Sequence, residues 1–251
     1  MPVDELADLV ARAAGAAESG QESRRGVARA LAALVPVLTR SAKASGVRAV
    51  AAGRWLTDLV VELAPRVPVR DALTLRAQHV GLTDVEIAER LVRSASRTTA
   101  TIGAGIGGLS AVEFLSPPTL LAAPVQLAAE MLTVTAVELK LVAELHEILG
   151  APAAGSLSDR AGQYLMSWTS RRAISASARG AGLGAVLGAS AKRELRSQLL
   201  RRIGRSTSAL APFLAGAVAG AEVNRRATKQ LGEALLNELR GRAEDRWFHR
   251  V

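Results

Sequence analysis

The sequence contains no cysteine, and this absence removes several kinds of chemistry at once. A chain without cysteine has no disulfide, no thiolate metal site and no cysteine nucleophile. The three histidines, His79, His146 and His249, are far apart, and no two of them have the spacing of metal ligands. We therefore expect neither a bound metal nor another cofactor.

Aromatic residues are also scarce, at 3% of the 251 residues, although hydrophobic residues make up 49%. The core must therefore be built from Ala, Leu and Val, and the chain is long enough for one large helical domain. Alanine has the highest helix propensity, and no run alternates with period two for long enough to form a strand. The sequence predicts an all-α protein, a multi-helix bundle.

Neither a secretory signal nor a long apolar run is evident. The first ten residues, MPVDELADLV, contain three acidic residues instead of a basic start and an apolar run, which together with the lack of cysteine favours the cytoplasm. The longest uncharged stretches, residues 114–129 and 206–221, are 16 residues long and contain proline. Because a membrane span needs about 20 predominantly apolar residues, we favour a protein that is soluble or peripheral to the inner face of the membrane.

Positive charge is in excess, and it is concentrated towards the C-terminus. The net charge is +9, divided into +3 for residues 1–100, −4 for residues 101–160 and +10 for residues 161–251. A basic third of this kind suits an anionic membrane surface or an acidic partner. Nucleic acid is the least favoured partner, because this third has few aromatic side chains to stack on bases. The alternative is a solvated Arg-rich surface without a partner.

Helical periodicity runs through nearly the whole chain. The predicted helices cover residues 3–17, 24–42, 46–64, 68–79, 83–97, 119–149, 158–178, 180–203 and 208–241. Thr83 and Glu86 form a capping box at the start of one helix, and Gly150 ends the longest apolar one. Because the first residues carry mixed charge and few glycines, we expect an N-terminal helical subdomain at residues 1–80. Residues 81–251 are expected to form a helical core with basic C-terminal helices.

Residues 102–108 (IGAGIGG) match the G-x-G-x-x-G pattern of flavin- and dinucleotide-binding proteins. That site requires a buried strand before the glycines and a second strand after them. The preceding residues 93–99 are polar and end a helix, and Pro117 and Pro118 break the segment that follows. We therefore interpret these glycines as positions of close helix packing.

Glycines also recur at a spacing of four, which places them on one face of a helix. The sets with this spacing are Gly103 and Gly107; Gly180, Gly184 and Gly188; and Gly216 and Gly220. Each set is expected to form a shallow groove that another helix backbone can approach closely. Because glycine costs about 1 kcal/mol relative to alanine inside a helix, these positions imply a compensating gain from packing.

Several polar residues fall on helix faces that are otherwise apolar. In the helix predicted over residues 119–149, a polar stripe is expected to face solvent, comprising Gln126, Glu130, Thr133, Lys140, Glu144 and Glu147. Thr135, Glu138 and His146 lie away from that stripe, and Asn224 follows the last glycine groove among small apolar residues. Buried polar groups need partners. These four residues either pair with neighbouring helices, Glu138 with an arginine, or share one polar pocket.

Two stretches resemble the EcsC family of bacterial proteins. Residues 99–150 comprise a Gly-rich segment, a Pro-containing loop and a long apolar helix that ends in acidic turns and glycine. Residues 211–224 (APFLAGAVAGAEVN) are similar to the family's segment that leads into a final helix. The resemblance covers residues 80–240, although residues 116–118 (SPP) stand where the family has an aspartate–proline turn. It implies an accessory protein found beside an ABC transporter, connected with secretion and envelope functions and without established catalytic residues.

Three functions follow as hypotheses. The first is a non-enzymatic helical protein that acts at the cytoplasmic membrane surface or binds apolar or lipid ligands, as the glycine grooves, the uncharged runs and the basic third favour. The second is a homo-oligomeric interaction or assembly module that uses the glycine faces between chains. The third is an enzyme with Glu138 or His146 as its acid–base group, which requires at least two titratable groups within hydrogen-bond reach.

Overall fold

The computed structural model describes residues 3–18, 24–51, 54–113, 122–174 and 213–248, and these residues form a helical bundle without strands. The helices are α1 (Val3–Glu18), α2 (Arg24–Ser45), α3 (Val47–Ala51), α4 (Arg54–Leu63), α5 (Ala72–Gln78), α6 (Asp84–Glu113), α7 (Ala122–Ile148), α8 (Leu157–Ile174) and α9 (Phe213–Phe248). A 3-10 turn at Ala64–Arg66 follows α4. The prediction of an all-α bundle is confirmed.

Side-chain caps and glycine set several helix ends. Thr83 and Glu86 form the expected capping box, in which the Thr83 N–H donates to Glu86 Oε2 at 2.8 Å and the Glu86 N–H donates to Thr83 Oγ1 at 3.3 Å. Gly150 follows α7 with a φ of +70°, a conformation that other residues rarely adopt. Ser156 and Asp159 cap α8 in the same reciprocal way, and this cap was not predicted.

α6 is longer than the sequence predicts. It runs from Asp84 to Glu113, although the polar residues before position 97 are expected to end it. Glycines in its C-terminal half let α6 lie close to α2 and α9, and such packing extends a helix beyond what local propensity supports. The G-x-G-x-x-G match therefore lies inside a helix, which excludes the strand–turn–helix geometry of a dinucleotide site.

Within the helix expected over residues 46–64, Val47–Ala51 and Arg54–Leu63 are helical, and residues 52–53 lie outside the described residues. One other prediction is corrected. α5 begins later than predicted, at Ala72, because the Asp71 side chain accepts a hydrogen bond from the Thr74 N–H at 2.7 Å and caps the helix there. The helix expected over residues 180–203 lies outside the described residues.

α7 is buried on nearly every side, because it packs against α1, α2, α6, α8 and α9. The polar stripe expected to face solvent is therefore wrong in part: Thr133 is fully buried, and Glu144 is 2% exposed. Neighbouring helices, rather than water, cover these two residues. Thr135 and Glu138 are buried, as expected for the apolar side, and His146 is half-buried.

One hydrophobic core runs through the described residues. It includes Leu6 and Leu31 from the first helices together with Leu132, Trp168 and Leu235 from later ones. α1 and α2 both pack against α6 and α7. α1 and α2 of the predicted N-terminal subdomain therefore share this core with α6 and α7.

The apolar helices of the described residues are not membrane spans. None of them combines the length and the apolar composition that crossing a membrane requires. The uncharged stretches at residues 114–129 and 206–221 lie partly outside the described residues.

The close packing predicted from glycine spacing is present between α6 and α9. A β-carbon built on Gly103 would lie 2.9 Å from the Gly220 carbonyl oxygen and 2.7 Å from Asn224 Nδ2. A β-carbon built on Gly220 would lie 3.6 Å from the Gly103 carbonyl oxygen, an ordinary contact. The two backbones thus meet without a side chain between them, and the contact tolerates a larger residue on one side only.

Two further glycines make close contacts that the spacing of four did not select. A β-carbon on Gly105 would lie 3.1 Å from the Val27 side chain on α2, and one on Gly232 would lie 2.7 Å from the Val92 side chain on α6. The surroundings of the other predicted positions are outside the described part of the chain: Gly107 in α6, Gly216 in α9, and Gly180, Gly184 and Gly188 between α8 and α9.

Gly103→Ala and Gly220→Ala should have opposite effects on stability. The methyl group added at Gly103 overlaps the Gly220 carbonyl, so we expect the free energy of unfolding to fall by about 1–3 kcal/mol. The methyl group added at Gly220 fits, so the higher helix propensity of alanine should leave stability unchanged or raise it by up to about 1 kcal/mol. Chemical denaturation measures both effects.

Gly241→Ala is the matched control, because a β-carbon at this position in α9 would have no atom of the described residues within 4 Å. It should be neutral or stabilising, like Gly220→Ala. Equal losses at positions 103 and 241 would contradict the close contact.

Candidate functional site

Glu138 lies at the centre of a buried polar cluster between α7, α8 and α9. Its side chain is fully buried. Oε1 accepts a hydrogen bond from the Thr228 hydroxyl at 2.6 Å, and Oε2 accepts one from the Trp168 indole N–H at 2.9 Å. Both carboxyl oxygens therefore have donors from neighbouring helices, which makes the burial of this group tolerable.

Hydrogen bonds extend this cluster to α6 and to the N-terminal half of α7. The Thr99 hydroxyl donates to Thr228 Oγ1 at 3.0 Å. Asn224 Nδ2, one turn before Thr228 on α9, donates to Glu130 Oε1 at 2.8 Å. The Glu138 cluster, as we name it, joins α6, α7, α8 and α9 and comprises Thr99, Glu130, Glu138, Trp168, Asn224 and Thr228.

The structure brings part of the predicted polar pocket together. Asn224 and Glu138 belong to one cluster, although they are linked through Thr99 and Thr228 rather than in direct contact. Thr135 is 1% exposed, and its hydroxyl has no hydrogen-bond partner within the described part of the chain.

His146 lies apart from the Glu138 cluster, two turns further along α7, or about 12 Å along the helix axis. Its Nδ1 is 2.7 Å from the Val142 carbonyl oxygen, and its ring centroid is 5.4 Å from that of Tyr164 on α8. Burial lowers the pKa of His146, against an opposing effect of the Val142 carbonyl. The structure therefore does not bring His146 and Glu138 together as an acid–base pair.

The chemistry of the Glu138 cluster suits a structural role. Its described donors are hydroxyl, amide and indole groups, none of which titrates near neutral pH. Within the described ranges, no group of three or more His, Asp or Glu side chains is placed to hold a metal ion. The cluster can hold four helices in register, because its hydrogen bonds join α6 to α9, α9 to α7 and α8 to α7.

A separate cleft of about 120 Å³ opens between α1, α6 and α7, beside the end of α4 and the segment that follows it. We call it the α1–α7 cleft. Its walls are small and aliphatic, and they include Ala14, Leu63, Leu91, Ala95, Val137 and Leu141. Alanines on α1 and α6 leave this space unfilled, because their side chains are too short to reach across it. The cleft was not predicted from the sequence.

Ion pairs line the mouth of the α1–α7 cleft. Arg70 donates two hydrogen bonds of 2.7 Å to the two carboxylate oxygens of Glu144. These bonds raise the pKa of Arg70, so that it stays charged and neutralises a buried acid. Lys140 Nζ lies 3.5 Å from Glu18 Oε2 on α1. An apolar interior with a few polar groups at defined positions is the usual composition of a small-molecule pocket.

A second depression, of about 530 Å³, lies between α1 and α2. Its lining includes the exposed side chains of Arg12, Arg29 and Ala33. It is an open surface and lacks the buried apolar walls of the α1–α7 cleft.

No family model matches the chain, and searches of curated proteins and of solved structures find no match either. The resemblance to the EcsC family therefore stays a prediction that is based on residues 99–150 and 211–224. The described parts of these two stretches belong to α6, α7 and α9.

Thr228→Val should cost more stability than Thr169→Val, although both substitutions remove a buried hydroxyl and preserve shape. Without the Thr228 hydroxyl, Glu138 and Thr99 lose a hydrogen-bond partner, with an expected cost of about 1–3 kcal/mol. The Thr169 hydroxyl donates to the Leu165 carbonyl of its own helix at 2.7 Å. Its loss should cost about 1 kcal/mol or less, because that carbonyl keeps its helical hydrogen bond.

Urea denaturation of the two variants makes this comparison directly. Equal losses for Thr228→Val and Thr169→Val would contradict a stabilising role for the Glu138 cluster.

Proposed function

We propose that this chain is a non-catalytic binding protein that holds a small apolar or amphiphilic molecule in the α1–α7 cleft. The observation that carries the proposal is the cleft itself, a half-open space walled by aliphatic side chains. Binding pockets for small molecules are typically apolar concavities with a few polar groups at defined positions. The separation of His146 from Glu138 supports a binding role over a catalytic one.

The size of the cleft suits a short alkyl chain. An engineered apolar cavity of about 150 Å³ holds benzene, and the α1–α7 cleft is slightly smaller, at about 120 Å³. Burying five methylene groups contributes about 4 kcal/mol, which corresponds to a dissociation constant near 1 mM. A longer chain that extends out of the cleft would gain further from contact with its mouth.

The resemblance to the EcsC family belongs to the same proposal. It implies an accessory role beside a membrane transporter, and a protein that binds amphiphiles is compatible with that role. The resemblance names no ligand, so the cleft carries the argument.

Titration with 1-hexanol, followed by NMR, tests the proposal. We expect saturable shifts of the methyl groups that line the cleft, and Ala14→Leu should weaken binding at least tenfold, because the larger side chain fills the space. Ala44→Leu is the control, since Ala44 is an exposed residue of α2 outside the cleft. Shifts that do not saturate, or equal binding by both variants, would contradict the proposal.

A second candidate function is contact with an anionic membrane surface, and exposed aliphatic side chains favour it. Leu73, Val80 and Leu157 are 75%, 88% and 73% exposed, and Val69 is 37% exposed. Single exposed apolar residues are ordinary, but a group of them on one surface commonly marks an interaction site.

Ion pairs indicate that these aliphatic residues share one end of the bundle. Arg70, which precedes α5, is bonded to Glu144 near the end of α7. Arg160 in the first turn of α8 is bonded to Glu147, one turn further along α7. The segment that carries Val69, Leu73 and Val80 and the start of α8 with Leu157 are therefore both anchored at the end of α7.

The described surface of α9 contributes little electrostatic attraction to anionic lipids, because its arginines are paired with acids. Glu222 pairs with Arg225 and Arg226, and their hydrogen bonds lower the pKa of Glu222 to about 2. Of the +10 net charge in residues 161–251, +6 belongs to residues 175–212, which lie outside the described residues. Membrane contact thus depends mainly on the exposed aliphatic residues near the end of α7. In this proposal the protein lies at the inner face of the cytoplasmic membrane.

The substitution Val80→Asp tests membrane contact, and Val223→Asp is its control. Val223 is 63% exposed and precedes Asn224, which is bonded to Glu130 rather than to the end of α7. Co-sedimentation with vesicles of phosphatidylglycerol and phosphatidylcholine should fall about fivefold or more for Val80→Asp. Val223→Asp should bind like the unaltered chain; equal losses for both variants, or no pelleting of the unaltered chain, would contradict membrane contact.

The other two hypotheses from the sequence gain no specific support. Gly103 and Gly220 meet within one chain, so an assembly module would have to use other surfaces. An enzyme would need a second titratable group within hydrogen-bond reach of Glu138. The other acid–base candidate from the sequence, His146, lies beside the Val142 carbonyl instead.

A further inference from the structure

Three cations and two acids lie around the α1–α7 cleft: Arg66, Arg70, Lys140, Glu18 and Glu144. Arg70 is held firmly by a buried acid, and Arg66 makes two hydrogen bonds of normal length. Arg70 makes two hydrogen bonds of 2.7 Å to Glu144, whose side chain is 3% exposed. Because separating this pair would leave a buried carboxylate without its cation, Arg70 is not available to an incoming ligand.

Arg66 lies at the outer edge of the cleft in a more exposed ion pair, in which its side chain is 39% exposed and that of Asp4 84% exposed. It donates to Asp4 Oδ1 at 2.7 Å and to the Glu62 carbonyl oxygen at 2.8 Å. A ligand would have to replace two hydrogen bonds of normal length to recruit it.

Lys140 is the cation that can exchange its partner. Its ammonium nitrogen lies 3.5 Å from Glu18 Oε2, which is longer than the 2.7–3.2 Å usual for such bonds. The Glu18 side chain is 44% exposed and the Lys140 side chain 26% exposed. An exposed pair of this kind contributes about 0–1 kcal/mol, so Glu18 can return to water at little cost.

The position of Lys140 matches that of a ligand head group. Lys140 is flanked on α7 by Val137, one turn before it, and by Leu141, and all three line the cleft. A negatively charged group bonded to Lys140 would therefore have its apolar chain directed along an aliphatic wall.

We infer that the α1–α7 cleft binds an amphiphile with an acidic head group, and that Lys140 binds that head group in place of Glu18. The inference rests on the proposed function of the cleft and adds the chemical class of its ligand. Carboxylates and phosphate monoesters share the required chemistry, a compact anion on an alkyl chain. Release of Glu18 accompanies binding.

Four probes with the same six-carbon chain test the inference by NMR titration: hexanoate, hexyl phosphate, 1-hexanol and hexylammonium. Hexanoate or hexyl phosphate should bind about fivefold more tightly than 1-hexanol, and hexylammonium should bind more weakly than 1-hexanol. The preference should decrease as salt is added, because screening weakens exposed ion pairs. The tighter of the two anions identifies the head group as carboxylate or phosphate.

Lys140→Met should abolish the preference for the anion over 1-hexanol. Lys229→Met is the matched control, since Lys229 forms an exposed pair with Glu233 at the same distance of 3.5 Å and lies outside the cleft. Glu18→Gln should strengthen hexanoate binding about two- to fivefold by removing the competing carboxylate, a gain that damage to the fold cannot produce.

The outcomes separate this inference from the proposed function. If 1-hexanol binds saturably and as tightly as both anions, the head-group inference is overturned and cleft binding stands. If the preference survives Lys140→Met or is lost in Lys229→Met, Lys140 is not the head-group site. If no probe binds saturably, the proposed function and this inference both fail.

Discussion

A β-carbon at Gly103 would overlap the carbonyl group of Gly220, and this need for a bare backbone at Gly103 fixes where α9 lies along α6. Thr99 is one turn before Gly103, and Thr228 is two turns after Gly220. Because the two helices run in opposite directions, this placement brings the two hydroxyls to 3.0 Å. The glycine contact and the polar contact thus specify the same register. A shift of one residue would remove both.

The register of α6 and α9 affects α7 most, because α7 packs against both helices. It is buried on nearly every side, and yet it carries two acids, Glu138 and Glu144, that are 0% and 2% exposed. Glu138 accepts hydrogen bonds from side chains of α8 and α9. Glu144 pairs with Arg70 from the segment before α5. Burying an acid without such partners costs several kcal/mol, so these contacts restrict α7 to one position in the bundle. That position also places Lys140 at the mouth of the α1–α7 cleft.

The sequence predicted the features that depend on local spacing. The spacing of four identified Gly103 and Gly220, and helical periodicity placed Thr135 and Glu138 on a buried face. It could not reveal Gly105 and Gly232, because neither has a second glycine four residues away. The same reasoning misplaced Thr133 and Glu144: a polar face looks the same in sequence whether water or a partner helix covers it.

The cleft and its charges depend on contacts between distant parts of the chain. Arg70 and Glu144 are 74 residues apart, and Lys140 meets Glu18 across 122 residues. Periodicity reports which face an alanine occupies, but not whether the facing helices fill the space beside it. Alanines at positions 7, 11 and 14 share one face of α1, and only the packed structure shows that this face borders a cleft.

Cysteine pairs measure the register of α6 and α9 directly, because the sequence has no cysteine of its own. Thr99→Cys combined with Thr228→Cys replaces two hydroxyls that lie 3.0 Å apart, close enough for a disulfide. Thr98→Cys combined with Thr228→Cys is the control, since Thr98 lines the cleft and donates to the Ser94 carbonyl. We predict that mild oxidation produces a disulfide within one chain in the first variant and none in the second. A disulfide that forms only between two chains, or only in the control, would contradict the account.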